Sequence, residues 1–140
     1  MKYLKISNNQ YCLKLERGDE IIKSLQLFCA SQKINSGYFS GIGATNNITL
    51  GIFDDKTKKY NSHTLKDALE ITSLTGNIST LNNQIYLHAH INVSDHSLIV
   101  KGGHLNNAII SVTCEIFLTK VNKKLPRYFD KEVGINLLKI

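Results

Sequence analysis

Apolar and polar residues alternate along most of this chain, and a period of two marks half-buried strands. Residues 84–93 are the cleanest case. Ile85, Leu87, Ala89, Ile91 and Val93 take one face; Gln84, Tyr86, His88, His90 and Asn92 take the other. Residues 109–118 repeat the pattern, with Ile110, Val112, Cys114, Ile116 and Leu118 set against Ser111, Thr113, Glu115 and Phe117. Further strands are predicted over residues 11–15, 38–44, 48–53, 69–78 and 98–101, with turns at Asn46-Asn47, at Asp54-Asp55-Lys56-Thr57 and at Leu81-Asn82-Asn83. One segment breaks the rule. Ile21, Leu25 and Phe28, with Ile22 and Cys29, recur at three and four residues and predict a helix. Arg17-Gly18-Asp19-Glu20 precedes it and sets two acids at the positive end of its dipole; Asn35-Ser36-Gly37 ends it.

Closely spaced strands with short turns pair antiparallel for the most part. With one helix on one face, the fold class is α+β. The other sheet face then needs cover from solvent or from a second subunit. A length of 140 residues predicts one domain, residues 1–140, with its core over about 11–138. Hydrophobic residues make up 42%, enough for an ordinary core. No apolar run approaches the ~20 residues of a membrane span, and the N-terminal residues lack a signal-like apolar stretch. A cytoplasmic protein with no membrane partner is expected. Cys12, Cys29 and Cys114 are scattered and form no C-x-x-C, so they read as reduced thiols, mostly buried.

The net charge of +6 raises the question of nucleic acid, but its distribution argues against a specific site. Between residues 67 and 119 the one base is Lys101, against Asp67, Glu70, Asp95 and Glu115. The surplus sits in Lys56, Lys58 and Lys59 and in Lys120, Lys123, Lys124 and Arg127, both read as solvated turns or strand ends. Arg17 and Arg127 are the only arginines, and arginine is the usual reader of base edges.

Candidate chemistry lies with the histidines. His88 and His90 share one strand face, where two imidazoles at i and i+2 can hold one metal ion if a neighbouring strand supplies a third ligand. His104 is the best candidate for it, after Gly102-Gly103, where glycine permits close backbone approach. The same pair is also compatible with a plain solvated face. His63 and His96 lie in polar stretches and are expected in solvent. Gly41-Ile42-Gly43-Ala44 lacks the third glycine and the following helix of a dinucleotide loop. No serine or cysteine sits in a nucleophile elbow.

Several stretches together resemble a known family, the plants-and-prokaryotes conserved (PPC) domain. They are Arg17-Gly18-Asp19-Glu20, Gly41-Ile42-Gly43-Ala44, the run from Glu70 through Ile78, Leu87-His88-Ala89-His90, Gly102-Gly103-His104-Leu105 and the strand that holds Glu115. The chain is similar to the standalone prokaryotic type. It lacks the Arg-Gly-Arg-Pro core of the plant AT-hook, and Ser94-Asp95-His96-Ser97 lacks a glycine common there. The resemblance implies a seven- or eight-stranded antiparallel sheet with one main helix, assembled as a homotrimer. It also implies that His88, His90 and His104 converge, and that some bacterial and archaeal members hold a metal ion there, for which zinc is the usual choice with three imidazoles.

Three functions follow as expectations. The first is a trimeric metal-binding domain with a regulatory or scaffold role, acting through a small ligand or a protein partner. The second is a zinc-dependent enzyme using the open fourth position, with Glu115 or Glu70 as base or as partner to a histidine N–H. The third is DNA binding. Without the AT-hook, specific DNA binding by this chain alone is not expected.

Overall fold

The computed structural model describes residues 1–140. Nine strands and one helix follow in the order β1 (Lys2–Lys5), β2 (Gln10–Glu16), α1 (Ile21–Ser31), β3 (Gly37–Asp54), β4 (Lys59–Leu65), β5 (Leu69–Leu81), β6 (Gln84–Ser94), β7 (Val100–Lys120), β8 (Arg127–Asp130) and β9 (Ile135–Leu138). Seven strands form one antiparallel sheet in the order β1-β2-β7-β6-β5-β3-β4, with β3 also paired to β7. The hairpin β8–β9 is a second, small sheet.

The long strands β3 and β7 correct two expectations. Asn46-Asn47 is not a turn: β3 runs on through it, and the register against β7 shifts between Gly43 and Thr45 and between Thr45 and Asn47. The Thr45 hydroxyl donates to the Ile109 carbonyl at 2.7 Å, so a side chain makes up for the disturbed ladder. Likewise Val100 and Lys101 of the predicted strand 98–101 and all of residues 109–118 belong to one strand, β7, while Leu98 and Ile99 precede it. Its first part pairs with β6 and its last part with β2, while β3 runs beside most of it. The first half of β3 pairs with β5, which pairs with β6, so the sheet curls round on itself. β1 carries no alternation that stands out; its pairing to β2 makes it a strand.

The curled sheet encloses a core of 24 buried residues, among them Leu13, Leu15, Phe39, Ile48, Leu74, Ile91, Ile110 and Ile116. Helix α1 packs over β6 and β7 with Ile21, Leu25, Phe28 and Cys29 buried, one face at helical spacing. Phe28 meets Tyr3 and Tyr11 edge to face, with ring centroids 5.1 and 5.3 Å away. Glu20 is the N-cap: its carboxylate accepts from the Ile22 N–H at 3.0 Å and the Lys23 N–H at 2.6 Å. Cys29 and Cys114 are buried and free, and burial pushes both thiols up to about 12. No helix is long and apolar enough to cross a membrane.

The C-terminal hairpin folds back over β5 and β6. Leu125 accepts from the Thr80 N–H at 3.0 Å, and Arg127 reaches Ser79 at 2.8 Å. This corrects the reading of Arg127 as part of a solvated basic cluster. It is 9% exposed, packed beneath its own hairpin.

Candidate metal centre

The register of β6 against β7 makes the site. His90 on β6 stands directly opposite His104 on β7, and His88 lies one pleat further along β6 on the same face. The ring centroids of His90 and His104 are 4.2 Å apart, and those of His88 and His104 are 5.1 Å apart and nearly stacked. The Nε2 of His88 lies 3.2 Å from the Nδ1 of His104. One ligand nitrogen from each of the three rings falls within 4.8 Å of the others.

Glycine makes this approach possible. A Cβ on Gly103 would meet the carbonyl oxygen of Gly51 at 2.7 Å, so any side chain there would push β3 away from β7 beside His104. Gly51 in turn lies opposite His104 and beneath the Tyr60 ring, which would overlap any Cβ at that position. The Tyr60 ring sits 6.0 Å from His104, and its hydroxyl bonds to the Asn106 side-chain oxygen.

The electrostatics favour neutral imidazoles. Burial lowers His88 to about 4, and the charges of Arg127, His104 and His90 push the same way. Burial, with a contribution from His90, also lowers His104. Neutral imidazole is the form that binds a metal. Two ligands of a tetrahedral ion at about 2.0–2.1 Å stand roughly 3.3 Å from each other. The 3.2 Å between His88 and His104 matches this, and the three rings fit a zinc-type donor set.

Glu115 and Glu70 are not at this site. Glu115 lies opposite Lys14 and Ile42, eleven residues beyond His104 on β7, and is exposed. Glu70 lies opposite Ser94, while the β5 partner of His90 is Thr75. The pleat rises by about 3.3 Å per residue, which puts both carboxylates far outside hydrogen-bond reach of the rings. His63 and His96 are exposed and apart from the cluster.

A cavity of about 370 Å³ opens beside His88 and His104, walled by Tyr60, Tyr86, Asn106, Arg127, Phe129 and Ile135. These residues carry no motif. In the sequence Arg127 reads as one basic residue among lysines. Folding of β8–β9 onto β6 is what brings Arg127 and Phe129 to the histidines.

On its other side the cluster joins the uncovered sheet face. His104, His90, Thr75, Ser40, Phe117 and Cys12 stand in one cross-strand row. Around that row Tyr38, Ile42 and Phe117 are exposed at 55%, 59% and 59%, an apolar surface that the chain itself leaves open.

Residues 5–122 match the family model of the Plants and Prokaryotes Conserved (PCC) domain. Among solved structures, a "putative DNA-binding protein" from Bacteroides thetaiotaomicron is 37% identical, with a TM-score of 0.95 over 99% of this chain and 96% of that one. A protein described as metal-containing, from Archaeoglobus fulgidus, is 27% identical, with a TM-score of 0.88 over 98% of this chain and 100% of the other. A plant- and prokaryote-conserved protein from Pyrococcus horikoshii is 28% identical, with a TM-score of 0.87 over 95% and 92% of the two chains. Among curated proteins, none matches.

Proposed function

The chain belongs to the Plants and Prokaryotes Conserved domain family, and from that premise we propose that it is a homotrimeric metal-binding domain with a regulatory or scaffold role. The ion sits on His88, His90 and His104. The observation that carries this reading is the convergence of three ring nitrogens within 4.8 Å. The metal-containing relative from Archaeoglobus fulgidus supports it. Three imidazoles suit zinc, which keeps a fourth position for water or a ligand. When bound, such an ion acts as a Lewis acid and brings the pKa of its water to about 7. The chain's own part is to hold His88 and His104 neutral, fix the spacing of the three rings through the β6–β7 register and open a cavity on one side. A hydrolytic enzyme would also need a positioned proton acceptor. Neither Glu70 nor Glu115 stands there, so binding is the better reading. DNA binding enters through the names of relatives such as the Bacteroides protein; the scarcity of arginine and the solvated lysines argue against it here.

The test is elemental analysis of the wild type and of His90→Ala. His90 is exposed, so its truncation leaves the core intact. The wild type should carry about one divalent ion per chain and the variant almost none, as expected when a site loses one of its three protein ligands. Equal metal content in the two proteins would refute the site.

A further inference from the structure

Arg127 is a cation without an anion. It is 9% exposed, and the ion pairs of the chain involve only the N-terminal amine, Lys2 and Lys101. Its Nε donates to the Ser79 hydroxyl and its Nη1 to the Asn136 carbonyl, both at 2.8 Å and both neutral. Its guanidinium lies over the Tyr86 ring, 4.9 Å from the centroid. Nη2 donates to no protein atom. Buried charges are normally paired, because desolvating one costs several kcal/mol. Here the charge lines the cavity beside the histidines, opposite apolar walls from Phe129, Ile135 and Leu87. A cavity of about 370 Å³ whose walls are mostly apolar or aromatic, with a few polar side chains and one fixed charge, has the make-up of a small-molecule site.

We propose that this cavity binds a small organic acid, a carboxylate on an apolar or aromatic body, with Arg127 Nη2 as the carboxylate donor. A charge-assisted hydrogen bond would satisfy the open nitrogen and neutralise the guanidinium. The walls select the body: a bare inorganic anion leaves Phe129 and Ile135 uncovered, and a neutral molecule leaves the charge unpaired. The site adjoins the proposed metal centre, since His88 and His104 line the same cavity, but the carboxylate donor is Arg127, which holds the acid with or without an ion on the histidines.

Calorimetric titration of the full chain tests this with phenylacetate, hexanoate and acetate as probes. Phenylacetamide serves as the neutral counterpart and inorganic phosphate as the bare anion. Each titration is run on zinc-supplemented and on chelator-treated protein, with metal content measured on the same samples. Phenylacetate should bind one per chain, about tenfold or more tighter than phenylacetamide, the difference one charge-assisted bond makes. Arg127→Met should lose that preference. Ile135→Trp, which fills the cavity and leaves the charge in place, should block binding; circular dichroism checks that both variants fold. The acid-against-amide comparison on wild type needs no variant. Equal affinity for acid and amide, no saturable binding of any of the three acids up to about 10 mM, or phosphate binding as tightly as phenylacetate would each overturn the proposal. Loss of acid binding on chelation would move the carboxylate from Arg127 to the ion and overturn it too. The metal measurements stand whichever way the titrations fall.

Discussion

His88 and His90 stand two residues apart on one face of β6 but in different surroundings. His90 is exposed, while His88 is partly buried between His104 and the cavity of Arg127. Burial first, and then the neighbouring charges, bring His88 from 6.5 to about 4. In metal-free protein the folded state therefore takes up the His88 proton less readily than the unfolded chain. Its contribution to stability is full above the unfolded pKa and is lost as pH falls from 6.5 towards 4. Solvent access at this site keeps the loss below the limit of about 1.4 kcal/mol per pH unit that one proton sets. Thermal melts of chelator-treated protein between pH 7 and 4.5 should show a steeper fall for wild type than for His88→Gln. Parallel curves would mean that His88 is not held neutral by the fold. The pairing of His88 and His90 was legible at this scale because a strand period of two settles which residues share a face. Tyr60 and Arg127 were not, because each enters the site from a strand far away in sequence.

At the scale of elements, the junction of α1 with the sheet rests on one carboxylate. Glu20 caps the helix through the Ile22 and Lys23 N–H groups and also accepts from the Ala108 N–H of β7 at 3.1 Å. Glu20→Ala should lower unfolding free energy by about 2 kcal/mol, the upper end for a lost cap, because it also strands a part-buried N–H. Urea unfolding reads this directly; a change within about 0.5 kcal/mol, typical of surface substitutions, would show that the cap carries no such load. The acids before the helix marked its start in the sequence, although Glu20 alone is the cap; Asp19 accepts instead from the Glu16 N–H and pairs with the N-terminal amine, both at 2.8 Å. The two long strands were harder to see. Asn46-Asn47 looks like a turn, and such residues also serve where a strand bulges and bends. Only the pairing partner tells the two apart.

At the scale of the whole molecule, the open apolar face and the histidine cluster lie along one cross-strand row. The homotrimer proposed above would bury Tyr38, Ile42 and Phe117 against another copy. Light scattering at micromolar concentration should give three times the 15.7 kDa chain mass. Phe117→Asp should shift the population towards monomer, since a charge at the core of an interface loses its solvation there. A monomeric wild type would refute the assembly. For DNA, titration with AT-rich and GC-rich duplexes at physiological salt should give weak, salt-sensitive binding with no sequence preference. Lysine-phosphate contacts release counterions but read no bases. Sub-micromolar affinity for one sequence would promote the DNA reading over the metal-binding one.

Local pattern was enough to determine what depends on neighbours in the chain. The alternation of residues 84–93 placed two histidines on one face, and the spacing of Ile21, Leu25 and Phe28 made the helix. Antiparallel pairing followed from short connections between strands. The tertiary structure alone decided what depends on register and return of the chain. It set His104 opposite His90, ran β3 and β7 unbroken through polar bulges, and closed β8–β9 over β6 so that a surface-looking arginine became a buried charge. Contacts between residues tens of positions apart are chosen by packing of the whole core, which no window of sequence contains.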